Sequence, residues 1–405
     1  MALEKNLYSL TGKVQHYTWG GYQFIPALLD ITNDEKKPFA EYWMGAHPLA
    51  SSEVDSKYQF LSRLIEENSE LTLGKYVAEN FGALPYLLKI LDVRDMLSIQ
   101  VHPAKGEAEE SFRKENEAGI SLTASHRNYK DENHKPELVV ALGDFWLLHG
   151  FKPRNKMSAI LKDTPELQSL LPVFEKEGYD GLYRHVMEMP QENVNQLLQP
   201  LLDRILPRYK DSDLSKSEED FWAARAALTF NKDNNIDRGI FSIYLFNLVH
   251  LRKGDAVFQD AGLPHAYLEG QNVEIMTNSD NVLRGGLTNK HIDVPELLKH
   301  VNCEETVPDI LSGKINNRHE TVFKTPVPEF QLSYISLYKG ENFLFKTRTG
   351  EILILLEGTA KFISGKEKIK LNSGEATFIV AGQDVEIQST GKTLIYRASV
   401  LVPEQ

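Results

Sequence analysis

Leu97-Ser98-Ile99-Gln100-Val101-His102-Pro103 closes a largely apolar segment that begins near Leu84. Read as a strand, its side chains alternate between two faces. Ser98, Gln100 and His102 then share one face, and Leu97, Ile99 and Val101 share the other. Pro103 ends the strand because it has no N–H to give to a ladder. Three polar side chains on an otherwise buried strand need partners, since an unpaired buried polar group costs free energy. Solvent supplies them on a bland surface face; a site supplies them in a functional one.

Working outward, a second polar row precedes the next apolar run. In Asn133-His134-Lys135-Pro136-Glu137, Lys135 and Glu137 are two apart and share a face where the apolar strand 138–142 begins. An ammonium and a carboxylate entering a buried strand together suggest a site, whereas a surface ion pair would contribute little. A third block, Gly254-Asp255-Ala256-Val257-Phe258-Gln259-Asp260-Ala261-Gly262-Leu263-Pro264-His265-Ala266-Tyr267, reads as glycine turn, strand, second turn and histidine. His265 and Tyr267 again share a face. The segment continues through Glu274 to Arg284-Gly285-Gly286 and Lys290.

That third block has an internal echo. Gly374-Glu375-Ala376-Thr377-Phe378-Ile379-Val380-Ala381-Gly382 repeats its Gly, acid, Ala, Phe, Ala and Gly in register, and the continued alignment puts Val385 where His265 stands. Two related β-barrels, one with a polar site and one without, account for this most simply. Between them the texture changes. Helical spacing of apolar residues runs through Met157–Leu161, 167–171, 194–206 and 221–228, which predicts a helical insertion with its stripes in the core. Residues 104–118 predict a solvated helix stopped by Gly119. The β texture resumes with 241–249. Trp19 and Trp43, near the start, read as packing residues around tight turns, and Glu41 as a side chain able to face a cavity.

Composition narrows the classes. The chain has 405 residues, 41% hydrophobic and 25% charged, enough for two or three domains of an ordinary globular protein. Its net charge of −12 argues against generic nucleic-acid binding, so an anionic ligand needs a local cluster of Lys and Arg. The single cysteine, Cys303, rules out an intramolecular disulfide. No apolar leader or bilayer-length run is present, and a cytoplasmic protein with no membrane partner is expected.

Gln100, His102, Glu137 and His265 together would offer two imidazoles, a carboxylate and a carbonyl oxygen. That thiolate-free set suits Zn²⁺ with an open position for water or substrate, and Fe²⁺ or Mn²⁺ would also accept it. Spacing joins Gln100 to His102; only the fold can add the other two.

Four segments in order, 98–103, 133–137, 264–267 and 279–288, resemble the signatures of the type I mannose-6-phosphate isomerases (phosphomannose isomerases). Trp19-Gly20, the 43–48 segment and the helical insertion are similar as well, and the resemblance is weakest in the helices and the last barrel. Val101 and Glu132 depart from what other members often carry, and neither is an implied ligand.

The resemblance implies a mainly β fold with an inserted helical domain and two cupin-type jelly-roll β-barrels. The expected division is a catalytic cupin domain over 1–154 and 236–320, a helical domain over 155–235, and a jelly roll without the metal site over 321–405. It implies one Zn²⁺ per chain on Gln100, His102, Glu137 and His265. Arg284, Glu274, Lys135 and Tyr267 match catalytic positions, with Ser98, Lys89 and Lys290 for substrate and phosphate.

The implied reaction interconverts mannose 6-phosphate and fructose 6-phosphate by moving a proton between C1 and C2 through a cis-enediol, a zinc-dependent aldose–ketose isomerisation. Glu274, Lys135 or a metal-bound water could carry the proton. A monomer or homodimer acting on a small sugar phosphate is expected. With no nucleotidyltransferase-like segment, the bifunctional form is not. Two other classes compete. The first is another cupin enzyme: an iron oxygenase would use two His and one carboxylate without Gln100, and an isomerase of a free sugar would have no use for the Lys and Arg cluster. The second is a binding-only cupin, which would not need Glu274, Lys135 and Arg284 beside a metal set. Fold alone does not separate these classes.

Overall fold

His265–Thr277 is a strand of thirteen residues, and the site-bearing sheet is assembled around it. In the computed structural model, which describes residues 3–403, its second half lies between Tyr86–Val93 and Glu137–Ala141, both antiparallel to it. Its first half pairs instead with Phe145–Phe151 and, at His265, with the short strand Gln100–Val101. Glu41–Gly45 extends this sheet beyond Tyr86–Val93, and Ala256–Gln259 extends it beyond Glu137–Ala141.

The change of partners occurs at a β-bulge. Opposite Phe145–Phe151 the register steps from Tyr267↔Leu147 to Glu269↔Trp146, so one extra residue enters the long strand. A bulge bends its strand and shifts the alternation by one. Gly270 follows at φ 124°, and a Cβ there would lie 2.4 Å from the Asp144 carbonyl oxygen. Only glycine fits such an approach. Before the bulge the odd residues His265 and Tyr267 face the site; after it the even residue Glu274 does, which is how Tyr267 and Glu274 come to be hydrogen-bonded.

Tyr86–Val93 is buried on both faces. Tyr86, Leu88 and Ile90 join a core shared with Ile352, Ile354, Phe378 and Ala398 of the C-terminal strands. Leu91 and Val93 join a second core with Val139, Leu147 and Tyr267, beneath the site. Six C-terminal strands with Leu7–Thr11 and Glu53–Val54 form an open eight-stranded sheet and four more form a second sheet; Leu7–Thr11, the first strand, pairs with Ala376–Ile379 inside the larger. The two ends of the chain are thereby one sheet.

The helices Arg154–Asp163, Leu171–Glu188, Gln191–Lys210, Glu219–Phe230 and Gly239–Leu245 pack over the opposite edge of the site strands. Val194, Leu198, Leu201, Leu202 and Ile205 are buried at spacings of four, three, one and three, a single helix face. Among the described residues, no helix is long and apolar enough to cross a membrane.

Two local expectations change. The 84–102 segment is not one strand: Tyr86–Val93 ends, a turn follows, and only Gln100–Val101 is paired as strand. The hydrogen bonds of Leu97 and Ile99 go to Tyr267 and Gly286, at two different elements, so no continuous ladder forms. Residues 241–245 are helical, the strand beginning at Phe246. All seven residues of Gly239–Leu245 are buried, which removes the polar side that would have given helical periodicity. The internal echo is carried by the backbone: Gly254 and Gly262, at φ 92° and 76°, bracket one four-residue strand, and Gly374 and Gly382, at 86° and 79°, bracket another.

Candidate active site

Antiparallel registry lays the polar residues in rows, because directly opposed residues share a face. Trp43 opposes Lys89, and Lys89 opposes Glu274. One step along, Met276 opposes Glu137. On the adjoining strands His265 opposes Gln100, and Gln100 opposes Arg284. Two rows from different strand groups therefore meet at one end of the sheet. Gln100, Glu137, His265, Tyr267, Glu274, Lys89 and Lys135 line one small inner pocket.

His102, Glu137 and His265 converge within 4.8 Å of one another and are buried. His102 Nδ1 is 2.9 Å from the Asn281 carbonyl oxygen and His265 Nδ1 is 2.9 Å from that of Leu263. A carbonyl only accepts, so each ring carries its proton on Nδ1 and turns the Nε2 lone pair inward. The two Nε2 atoms lie 3.4 Å from the two Glu137 oxygens, a lone pair facing a carboxylate in each case. His102 Nε2 has no hydrogen-bond partner among the described residues. Ligands at about 2.0–2.1 Å in a tetrahedron would be separated by roughly 3.4 Å, the distance at which each imidazole nitrogen stands from one Glu137 oxygen. Carbonyl-oriented imidazoles are the arrangement of metal ligands. These residues fit a divalent cation such as zinc.

Charge agrees with that fit. Glu41, Glu137 and Glu274 are buried against Lys89 and Lys135, three carboxylates to two ammonium groups. One negative charge is left over in a region of low dielectric. Lys89 Nζ is 3.1 Å from Glu274 and 3.5 Å from Glu41, and lies 5.1 Å from the Trp43 ring centre. Burial opposes its charge, but Glu41, Glu274 and Glu137 outweigh burial and push its pKa up. Lys135 Nζ is 3.0 Å from Glu137, so this pair is a buried one. Burial raises Glu274, and Glu137 and Glu41 raise it further against Lys89 and Lys135. Its Oε2 accepts from the Tyr267 hydroxyl at 2.7 Å. Burial pushes the phenol well above its ordinary value.

Outside this inner layer a cavity of about 650 Å³ opens to solvent, and Ser98, Gln100, Lys135, Arg284 and Lys290 are on its wall. Arg284 is half-buried and has no hydrogen-bond or ion-pair partner among the described residues; burial lowers its pKa. An unpaired guanidinium in a partly desolvated wall is set to meet an anionic group of a ligand. Lys290 sits at the exposed mouth, with burial and Arg284 lowering its pKa. Lys105 is outside this cluster, its ammonium held by the Glu132 carbonyl and Asn133.

Several residues escaped the sequence reading. Trp43 is not merely packing, for its Nε1 donates to Glu41 in the cavity wall. Glu41 and Trp43 alternate on one strand, a signal that was available. Asn281, beyond its carbonyl contact to His102, ties down residues 130–133 with its amide, which no spacing reveals.

Comparison with known proteins places this geometry. Residues 7–154 match the model of the phosphomannose isomerase type I catalytic domain. The chain is 37% identical to the mannose-6-phosphate isomerase of Salmonella typhimurium over 396 residues, covering 95% of this chain and 97% of that one. It is 36% identical to the Escherichia coli mannose-6-phosphate isomerase over 392 residues, with 95% and 97% covered. The crystal structure of mannose 6-phosphate isomerase from Salmonella typhimurium bound to its substrate and to zinc superimposes with a TM-score of 0.86 at 33% identity, covering 98% of this chain and all of that one.

Proposed function

This chain belongs to the type I phosphomannose isomerases, and from that premise we propose that it is a zinc-dependent isomerase interconverting mannose 6-phosphate and fructose 6-phosphate. The observation that carries the reading is the pair of inward-facing Nε2 lone pairs, each 3.4 Å from Glu137, beside an unpartnered Arg284. His102, Glu137 and His265 would hold the zinc, with Gln100, which opposes His265 in register, as fourth ligand. Bound zinc supplies a Lewis acid that polarises and orients the sugar oxygens.

The chain's own residues do the rest. Glu274 is our candidate for the proton carrier, its carboxylate fixed by Lys89 and Tyr267. In the open-chain aldose it takes the proton from C2, and the C–H electrons form the C1–C2 double bond of a cis-enediol. A proton passes from O2 to O1, and Glu274 returns its own to C1. Arg284 steadies the negative charge that develops on the oxygens. Lys135 supports Glu137 at 3.0 Å. Ser98, Lys290 and Arg284 at the cavity wall serve the phosphate, with Lys89 charged behind Glu274.

We read the sheets as two cupin-type jelly rolls, the second without a metal set: Val385, the counterpart of His265, is buried among Phe343, Phe362 and Ile387. The proposed division keeps the catalytic domain at 1–154 and 236–320, the helices at 155–235 and the second jelly roll at 321–405. A cytoplasmic monomer or homodimer is proposed.

The test is a coupled assay on mannose 6-phosphate with the protein as isolated, after chelation, and after Zn²⁺ is returned. Activity should vanish and reappear. His265→Ala should lose metal and activity while folding, and Arg284→Ala should keep the metal and lose most turnover. A zinc-loaded protein inactive on mannose 6-phosphate would sink the assignment.

A further inference from the structure

The helical segment lends Thr229 and Phe230 to the cavity wall, but its closest hold on the site is through backbone. Asp237 lies between Glu219–Phe230 and Gly239–Leu245. Its Oδ1 accepts from the Gly239 N–H at 2.7 Å and from the Leu287 N–H at 2.8 Å; its Oδ2 accepts from the Thr288 N–H at 3.3 Å. One carboxylate thus joins the start of a helix to the two residues that follow Arg284-Gly285-Gly286.

The surroundings leave that segment little freedom. Gly286, at φ 123°, is so close to the helix that a Cβ on it would lie 2.4 Å from Gly239 Cα. A Cβ on Gly285 would lie 2.7 Å from the Tyr183 hydroxyl, which comes from Leu171–Glu188. On the other side Gly285 N–H donates to the Ile99 carbonyl, and Ile99 N–H donates to that of Gly286, both at 3.0 Å. Residues 285–288 are therefore clamped between the helices and the strand bearing Gln100. The Arg284 side chain, at the edge of this clamp, has no partner among the described residues. Its placement is set by the backbone from which it springs, and Asp237 is the acceptor that closes the helical side.

We propose that Asp237 is a positioning residue for the isomerisation: by fixing the backbone of residues 286–288 it sets where Arg284 meets the anionic sugar phosphate. The proposal rests on the role given to Arg284 above. A displacement of the order of 1 Å at a catalytic group costs about a hundredfold in rate. Removing all three acceptor contacts is expected to act on that scale. The isosteric amide retains one oxygen for Gly239 and Leu287 and gives up only the longest contact.

The experiment is a double-mutant cycle on the zinc-loaded full chain with Asp237→Ala, Asp237→Asn, Arg284→Ala and the two doubles. Asp237→Ala should lower kcat/KM about a hundredfold at unchanged zinc content, and Asp237→Asn should restore it to within about fivefold of wild type. In the Arg284→Ala background either change should cost less than twofold, because the group it positions is gone. Calorimetric titration with inorganic phosphate should show the same non-additivity. If Asp237→Ala does not fold, the Asp237→Asn cycle carries the test, with a loss expected only when Arg284 is present. Additive losses, loss of zinc with Asp237→Ala, or undiminished activity of that variant would each overturn the proposal. Should the wild type lack mannose 6-phosphate activity, the functional reading falls by itself, and the phosphate titrations still decide whether Asp237 acts through Arg284.

Discussion

Asn281→Ala tests whether the metal ligands are held by what lies behind them. The Asn281 side chain is buried and accepts from the Lys130 N–H at 2.7 Å, while its amide donates to the carbonyls of Asp131 at 2.8 Å and Asn133 at 2.9 Å. Two further contacts to Asp131, at 3.3 Å, are too long to add much. At about 1 kcal/mol each, three good hydrogen bonds amount to about 3 kcal/mol. Unfolding entropy of about 2.1 cal/mol/K per residue over 405 residues is about 0.85 kcal/mol/K, so Tm should fall by about 3–4 °C if the chain melts as one unit. The same residue's carbonyl orients His102, and loosening such an outer partner weakens metal binding by about 10–100-fold. Thermal melts should be run on the metal-free protein, since bound metal stabilises by mass action. Zinc affinity is then read by competition with a chromophoric chelator. A normal zinc affinity, within twofold, alongside the lowered Tm would refute the idea that this peg sets the His102 ring.

Two other outcomes concern the C-terminal half and the lone thiol. Arg397 donates to Glu351 at 2.6 and 2.9 Å and to Glu320 at 3.0 Å, all three side chains being largely buried, so Arg397→Ala should cost about 3–5 kcal/mol in urea unfolding by stranding two carboxylates. Burial already raises Glu351 against the pull of Arg397, so its charging costs stability above the unfolded pKa of about 4.3; the variant's deficit should deepen above that pH and shrink as pH falls toward it, and a deficit independent of pH would contradict the argument. Burial and, next, Asp180 push the Cys303 thiol up to about 12, so iodoacetamide at pH 8 should react roughly a thousandfold more slowly than with a free thiol; mass spectrometry follows it, and comparable rates would refute the shielding.

What could be read from the sequence divides along physical lines. The stripe Val194, Leu198, Leu201, Leu202, Ile205 was legible because one side of that helix meets water. Gly239–Leu245 was not, because every side of it is buried. Gln100 with His102, and Lys135 with Glu137, were legible as two-residue spacings at the ends of apolar runs. His265 could join them only through the fold, since it stands 128 positions from Glu137 in the chain and 3.4 Å from it in space. Tyr267 and Glu274 sit seven apart, which simple alternation assigns to opposite faces; the bulge overrides it. Asp237 and Asn281 leave no pattern at all, because they serve backbone groups, and any segment can offer those. The echo of Gly254 in Gly374 was legible for the opposite reason: a left-handed turn admits few residues, so the chain spells it the same way twice.

The extra residue opposite Leu147 has a consequence of a different kind. Between Tyr267 and Glu274 the site depends on a count, not on spelling: the intervening letters can change, but an odd separation needs the bulge and an even one needs its absence. Deleting Leu268 would remove the extra residue and leave Tyr267 and Glu274 six apart on a regular strand, still on one face, whereas deleting one residue of 271–273 would keep the bulge and turn Glu274 to the far side of its sheet. Tolerance to single deletions along 265–277 should therefore depend on where they fall, those beyond the bulge silencing the enzyme and the one at the bulge sparing the facing, a contrast that substitution scanning along the same strand would never detect.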